Sequence, residues 1–334
     1  MSKSILIIGG AGYIGLVTTD VLLAAGHKVT CFDAFYYENN SSVTPYLSHP
    51  NYQFIYGDLR NIDKLDLALE GVTDVVLLAG LVGDPITKKY PELSRSINDE
   101  GILRCIDHLN KKGLDRVVFV STCSNYGLIA NDDLADEDYM LNPLSLYAKS
   151  KVSAERHLLA GKGRVDYTPT ILRFATAFGL SPRMRFDLTV NEFTRALANE
   201  QELIVFDAHT WRPYCHVKDF GRLIQMVIDA PHENVAFEVF NAGGEANNFT
   251  KQGIVEIILS LLPSAKVKYQ EHGSDPRNYR VSFSKVRDRL GFEPEHTVLH
   301  GVTELLDAIK ERVFDRVDQM HNFHGNYEIQ DVHK

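Results

Sequence analysis

At 334 residues and 44% hydrophobic composition, the chain can bury a large core as one α/β domain with a smaller lobe. A formal charge of -9 and a pI near 5.8 exclude nonspecific binding to nucleic acid or to an anionic membrane. An anionic substrate would therefore need local arginines to overcome the global repulsion.

The N-terminal apolar run, residues 5–8, ends in glycines. It is too short for a signal segment or a membrane span, and no later stretch is long enough either. The four cysteines, Cys31, Cys105, Cys123 and Cys215, form no C-x-x-C pair. Reduced thiols in a soluble, cytoplasmic protein are expected.

Through residue 175, short apolar runs alternate with longer amphipathic stretches. Runs 4–8, 28–33, 53–56, 74–79, 116–121 and 169–174 read as buried parallel strands. Helical patterns at 16–25, 62–69, 93–112 and 144–159 lie between them. This alternation predicts a doubly wound, Rossmann-type parallel sheet with right-handed crossovers and its ligand at the carboxyl ends of the strands.

Past residue 175 the rhythm loosens. Helices are expected at 188–199 and 217–228, with strands at 203–206 and 237–241. Thr250 looks like the cap of a further helix over 252–262. The division this suggests is a dinucleotide domain over 1–175, with 215–242 returning to it, and a substrate lobe over 176–214 and 243–314. The polar stretch 315–334 reads as a solvated tail. A metal site among its scattered histidines is the competing reading.

The first strand runs into Gly9-Gly10-Ala11-Gly12-Tyr13-Ile14-Gly15. Glycines there permit a tight turn, let the backbone approach a pyrophosphate, and aim a helix N-terminus at its charge. The motif is specific because it follows a first strand and opens a helix. The second strand ends at Asp33, where a carboxylate can accept both ribose hydroxyls. Asp33 would repel a 2′-phosphate and no arginine follows it nearby, so NAD is favoured over NADP. An exposed turn aspartate is the alternative. Asp58, after the third strand, suits the adenine amino group about as well as it suits a helix cap.

Tyr147 and Lys151 stand at i and i+4, on one face of a helix. Oxidising a carbinol needs a base for the hydroxyl proton while hydride leaves the carbon. Free tyrosine, with a pKa of about 10, is a poor base at neutral pH, so a nearby cation has to favour the phenolate. Lys151 and an oxidised nicotinamide are the expected cations. By itself a Tyr–Lys pair at this spacing is common by chance. The fifth strand ends in Ser121-Thr122-Cys123-Ser124, where a hydroxyl at the sheet edge can hold the reacting oxygen. Such a cluster is otherwise a plain turn.

In this order the motifs resemble the extended short-chain dehydrogenase/reductase family, in particular its nucleotide-sugar epimerases and dehydratases, of the UDP-galactose 4-epimerase type. The resemblance spans residues 4 to about 310. It implies Thr122 as the hydroxyl partner, Tyr147 as the acid/base and Lys151 as the anchor of phenolate and ribose. It also implies that Gly9, Gly12, Tyr13, Ile14, Gly15, Asp33, Asp58 and Leu59 hold the dinucleotide. Ala79, Gly80 and Leu81 would line the cofactor cleft, with Asn98 supporting it and Phe174 near the nicotinamide.

Departures from the pattern narrow the chemistry. Family members that dehydrate sugars carry Asp–Glu after the threonine, whereas Cys123 and Ser124 stand here, so dehydration is disfavoured. Cys123 reads as a buried filler and not as a reactive thiol. Ala175-Thr176 replaces the Phe–Asn of galactose epimerases, which rearranges one substrate contact at Thr176.

The resemblance further implies a diphosphate grip from Asn191, from Arg212 in Arg212-Pro213-Tyr214-Cys215-His216, and from Arg277 after Asp275-Pro276. Arg183 and Arg185, in a loop that closes over the nucleotide, are substrate candidates or solvated loop charges. Arginine forks suit a dianionic bridge. No metal is implied. The Ser-Pro-Arg-Met-Arg-Phe-Asp stretch over 181–187 is similar to bacterial enzymes of surface-polysaccharide precursors. The expected activity is NAD-dependent oxidation and reduction at C4 of a nucleotide-diphosphate sugar, ending as epimerisation in a homodimer. A C4 dehydrogenase or 4-ketoreductase would use the same residues. A non-catalytic dinucleotide sensor would be expected to lose the Tyr–Lys pair.

Overall fold

A computed structural model describes residues 2–129, 133–273, 275 and 277–329. Seven strands form the central sheet: β1 (Ser4–Ile8), β2 (Lys28–Asp33), β3 (Tyr52–Tyr56), β4 (Asp74–Leu77), β5 (Arg116–Thr122), β6 (Thr168–Phe174) and β7 (Glu238–Ala242). All neighbours are parallel, in the order β3-β2-β1-β4-β5-β6-β7. This is the doubly wound, Rossmann-type sheet expected from the sequence.

The apolar runs are continuous because both faces of the sheet are covered. Successive residues of β1 point to opposite sides. Ile5 and Ile7 pack with Val17, Phe220 and Ile224, while Leu6 and Ile8 pack with Leu65, Ile102 and Ile106. The strand order reverses between β1 and β4, which opens a crevice above the carboxyl ends of those strands.

The stretch read as one helix over 93–112 is not continuous. It comprises Pro91–Ser94, a π-helical turn over Arg95–Gly101, and Ile102–His108. The wide turn holds Asn98 against the backbone of Leu81: its amide oxygen accepts from Leu81 N at 2.8 Å, and its nitrogen donates to Leu81 O at 2.9 Å. Such π-turns concentrate at functional sites, and periodicity alone cannot reveal them.

The smaller lobe has a three-stranded sheet of Asn248–Thr250, Trp211–His216 and Thr176–Phe178. Leu203–Phe206 pairs in parallel with Val267–Gln270. Helices Thr189–Ala198, Lys251–Leu261 and Val298–Lys310 close its core around Phe178, Leu197, Tyr214, Ile258 and Val302. Thr250 caps its helix as expected, accepting from Gly253 N at 3.0 Å. Helices Asp84–Lys89, Ser284–Leu290 and Val298–Lys310 carry no assignment from the sequence.

The solvated-tail expectation fails through Ile329. Val317 and Phe323 are buried, and Phe186 N donates to His324 O at 2.8 Å. Residues 330–334 lie outside the described part. Among the described residues no helix is long and apolar enough to cross a membrane.

Candidate active site

The crevice is a cavity of about 510 Å³, running from Asp33 past the glycine loop to Tyr147 and on to Arg277. At Gly9, with φ +86°, an added Cβ would lie 2.7 Å from Ala79 N, so only glycine brings β1 and β4 together here. Helix Tyr13–Ala24 begins at Gly12 with no side-chain cap, leaving first-turn N–H groups to an anion at its N-terminus. Asp33 is fixed by Ala11 N at 3.0 Å and Phe35 N at 2.8 Å. Burial pushes its carboxyl up, against the pull of these N–H groups and of Arg183.

Ile14, Gly15, Leu59, Ala79, Gly80, Leu81 and Phe174 line the same cleft, and Phe174 is stacked on Phe220 at 3.8 Å. Tyr13 lines it too, but its hydroxyl donates to Gly179 O at 2.6 Å, tying the glycine loop to the smaller lobe. The cap of helix Ile62–Leu69 is Asn61, not Asp58. Asp58 instead accepts from Arg60 Nε at 2.9 Å and Nη2 at 2.7 Å, and from Tyr36 Oη. Burial raises this carboxyl, but those donors hold it down to about 2.

Thr122 ends β5, and its Oγ1 accepts from Ser124 N at 3.1 Å. Ser145 caps helix Leu146–Ala160, which presents Tyr147 and Lys151 to the cleft. Lys151 Nζ donates to Val120 O at 2.8 Å, and burial pulls the ammonium down to about 7 against the field of Glu155. The Tyr147 phenol is pushed up by burial, and the cations that counter this are Arg185 and Arg277. Lys151 sits 6.0 Å from the phenol ring centroid. In this arrangement the Lys151 ammonium is desolvated and turned to the Val120 carbonyl.

Behind this edge lies a buried ion pair absent from the sequence reading. Arg173 meets Glu155 at 2.8 Å and donates to Tyr126 Oη at 2.9 Å. Glu155 also accepts from Asn125 Nδ2 at 2.8 Å and from Ser121 Oγ. Cys123 is 1% exposed and its thiol faces Arg173 O at 3.1 Å, turned out of the cleft as a packing residue. All four cysteines are free and buried.

At the far wall, Asp275 clamps two arginines. Arg277 grips it through Nε at 2.8 Å and Nη2 at 2.7 Å, and Arg212 reaches it at 3.1 Å. Arg277 also donates to Ser124 Oγ at 3.2 Å, joining this wall to the Thr122 turn. Burial works against the Asp275 carboxylate, yet the arginines hold it well below its usual range. Pro276, quoted with this loop, lies outside the described residues.

Thr176, Arg183 and Arg185 also line the cleft. Arg185 is paired to Asp187 at 2.5 Å. Arg183 does not join Arg212 and Arg277: it lies over the Tyr37 ring at 4.9 Å, on the Asp33 side, and is neither a solvated loop charge nor part of the Asp275 clamp. Asn191, implied as a diphosphate contact, lies away from the cleft wall. Its amide is consumed by Gly179 N at 3.1 Å, Tyr13 Oη at 3.2 Å and Arg185 O at 3.0 Å, and it does not line the cleft. It pins the 179–185 loop rather than touching a ligand.

A family model for the NAD dependent epimerase/dehydratase family matches residues 5–243. The chain belongs to that family. It is 26% identical to the UDP-glucose 4-epimerase of Corynebacterium glutamicum over 331 residues, covering 93% of this chain and 97% of that one. Its fold is similar to dTDP-glucose 4,6-dehydratase from Bacillus anthracis in complex with NAD, with TM-score 0.82, 26% identity, and 96% and 100% of the two chains covered. It is also similar to UDP-glucuronic acid 4-epimerase from Bacillus cereus in complex with UDP-glucuronic acid and NAD, with TM-score 0.83, 22% identity, and 92% and 99% covered.

This member of the NAD dependent epimerase/dehydratase family is an enzyme whose cofactor is NAD. The uncapped helix, the Gly9 approach and the fixed Asp33 carboxylate suit a diphosphate flanked by ribose. The sequence reading missed Asp84, Lys251, Tyr279, Asn326 and Tyr327 as cleft residues. Asp84 was findable, since it opens the helix that follows β4 at the carboxyl edge of the sheet. Asn326 and Tyr327 carry no local signal, because they reach the cleft only through tertiary folding of the C-terminal segment.

Proposed function

We propose that this enzyme oxidises and re-reduces C4 of a nucleotide-diphosphate sugar, with epimerisation as the net result. The observation that carries the reading is the alignment along one cleft of the Gly9–Gly15 cradle, the Thr122–Tyr147–Lys151 edge and the Asp275-clamped arginines. NAD, when bound, supplies the hydride acceptor and later the donor. Tyr147 takes the proton of the C4 hydroxyl and returns it, while Thr122 holds the same oxygen. Lys151, with Val120 O as its partner, anchors the ribose end. Arg212 and Arg277 grip the diphosphate, with Thr176 near the sugar. Arg185 contributes positive field at the phenol.

In this reading, residues 1–175 with 215–242 bind the dinucleotide, and 176–214 with 243–314 bind the nucleotide sugar. The absence of an Asp–Glu pair beyond Thr122, with Cys123 facing Arg173 O, supports epimerisation over elimination. Loading the protein with NAD and adding UDP- and dTDP-hexoses should yield C4 epimers by NMR with no net NADH. Net NADH would indicate a dehydrogenase instead, and no bound NADH at any stage with any sugar would remove the enzymatic reading at C4.

Residence in the cytoplasm fits the four buried free thiols. A homodimer is expected through the helical layer 91–108 and helix Leu146–Ala160, joined by Asp107–His157 at 2.6 Å. Light scattering at micromolar concentration should give twice 37.6 kDa, and a sole 37.6 kDa species would refute the dimer.

A further inference from the structure

The C-terminal segment crosses from one wall of the dinucleotide cleft to the other. On the smaller lobe, Arg183 Nη2 donates to Asn322 O at 3.3 Å and to Gly325 O at 2.9 Å. On the sheet side, Asn326 Nδ2 donates to Val82 O at 3.1 Å, in the loop that follows the cofactor-lining Ala79-Gly80-Leu81. Beyond it, Glu328 meets Lys89 at 3.0 Å and Ile329 N reaches Tyr90 Oη at 3.5 Å. The anchor is apolar: Phe186 and Phe314 pack edge to face at 5.1 Å, with His324 against both rings.

Where the segment crosses, hydrogen-bonding atoms are buried without partners. Asn326 is 8% exposed and lines the cleft, yet its Oδ1 has no partner. The Val82 carbonyl fixes which end of the amide is the donor, so the free end is an acceptor. Arg183, 2% exposed, leaves Nε unpaired, and the Tyr37 hydroxyl beneath it is unpaired too. Buried polar atoms are seldom left unsatisfied in proteins, so three at one crossing call for a polar ligand. One acceptor and two donors thus belong to residues that line the same cleft as the Asp33 carboxylate and the loop after β4. That set matches the hydroxyls and phosphate oxygens of a ribose–diphosphate span.

We propose that residues 317–329 are part of the dinucleotide site, strapping the cofactor in place through Asn326 Oδ1 and Arg183 Nε. Asn326 accepts from a ribose hydroxyl and Arg183 donates to a phosphate oxygen. Release of the dinucleotide then requires the strap to leave Val82 and Arg183. Retention suits a reaction in which the cofactor ends each cycle in its starting redox state. The inference rests on the dinucleotide cleft and is independent of which sugar is turned over.

The test measures release of NADH from the loaded full-length protein, by loss of its fluorescence on chase with excess NAD. Two variants are compared with the wild type: a chain ending at Arg316, and Asn326→Leu, which keeps side-chain bulk but removes both the Oδ1 acceptor and the donor to Val82 O. Release should be about tenfold faster or more in the shortened chain and about three- to tenfold faster in Asn326→Leu, the scale of one or two lost hydrogen bonds. If the shortened chain fails to unfold cooperatively, Asn326→Leu decides alone. Wild-type release rates in Asn326→Leu would overturn the proposal. So would a wild type that sheds its dinucleotide within seconds, while equilibrium NAD binding would separately preserve the cofactor assignment.

Discussion

Tyr147→Phe is expected to lower turnover by a factor of about 10² to 10⁴, the scale of a lost general acid–base group. The ring and its packing survive, since Tyr147 is 9% exposed and phenylalanine keeps the same ring. Affinity for NAD and for the nucleotide sugar should change little, because the grips at Gly9–Gly15, Arg212 and Arg277 lie elsewhere along the cleft. Burial pushes the phenol up while Arg185 and Arg277 pull it down, so removing either cation should move the rate–pH profile to higher pH. Lys151→Met should damage turnover similarly and also weaken dinucleotide binding. The deciding measurement is single-turnover formation of bound NADH after mixing nucleotide sugar with NAD-loaded protein. A Tyr147→Phe variant that forms NADH at the wild-type rate would end the assignment of this phenol.

Arg173→Met is expected to destabilise the fold by about 3–5 kcal/mol, the range for breaking one side of a buried ion pair. Arg173 is 4% exposed and Glu155 1% exposed, so water cannot replace the lost partner. The stranded carboxylate would keep only Asn125 Nδ2 and Ser121 Oγ. Because Ser121 precedes Thr122 and Asn125 lies in the turn behind it, the loss should also loosen the catalytic edge. The double variant Arg173→Met/Glu155→Leu removes the orphan charge and should recover most of the stability. Urea unfolding reads both effects, and a loss below about 1 kcal/mol in the single variant would show that the pair is solvated in practice.

The sequence by itself determined the sheet and its cofactor edge. Continuous apolar runs such as 4–8 and 28–33 match β1 and β2 residue for residue, because burial on both faces leaves no room for polar alternation. Gly9, Gly12, Asp33 and the Tyr147–Lys151 spacing were legible for a related reason. Their chemistry depends on neighbours within one turn, or on a strand end that local pattern already marks.

Tertiary structure alone decided what depends on distant segments meeting. The family resemblance implies Asn191 as a ligand contact, but Gly179, Tyr13 and Arg185 converge on its amide. The π-turn at Arg95–Gly101 carries Asn98 to the Leu81 backbone, a contact no helical periodicity records. Arg183 parts from Arg212 and Arg277 because the Tyr37 face and the carbonyls of Asn322 and Gly325 enclose it. Residues 317–329 have a polar composition that reads as solvated. They are ordered by backbone carbonyls, one aromatic cluster and a loop more than two hundred residues away in sequence, and hydrogen bonds of that kind leave no trace in local pattern.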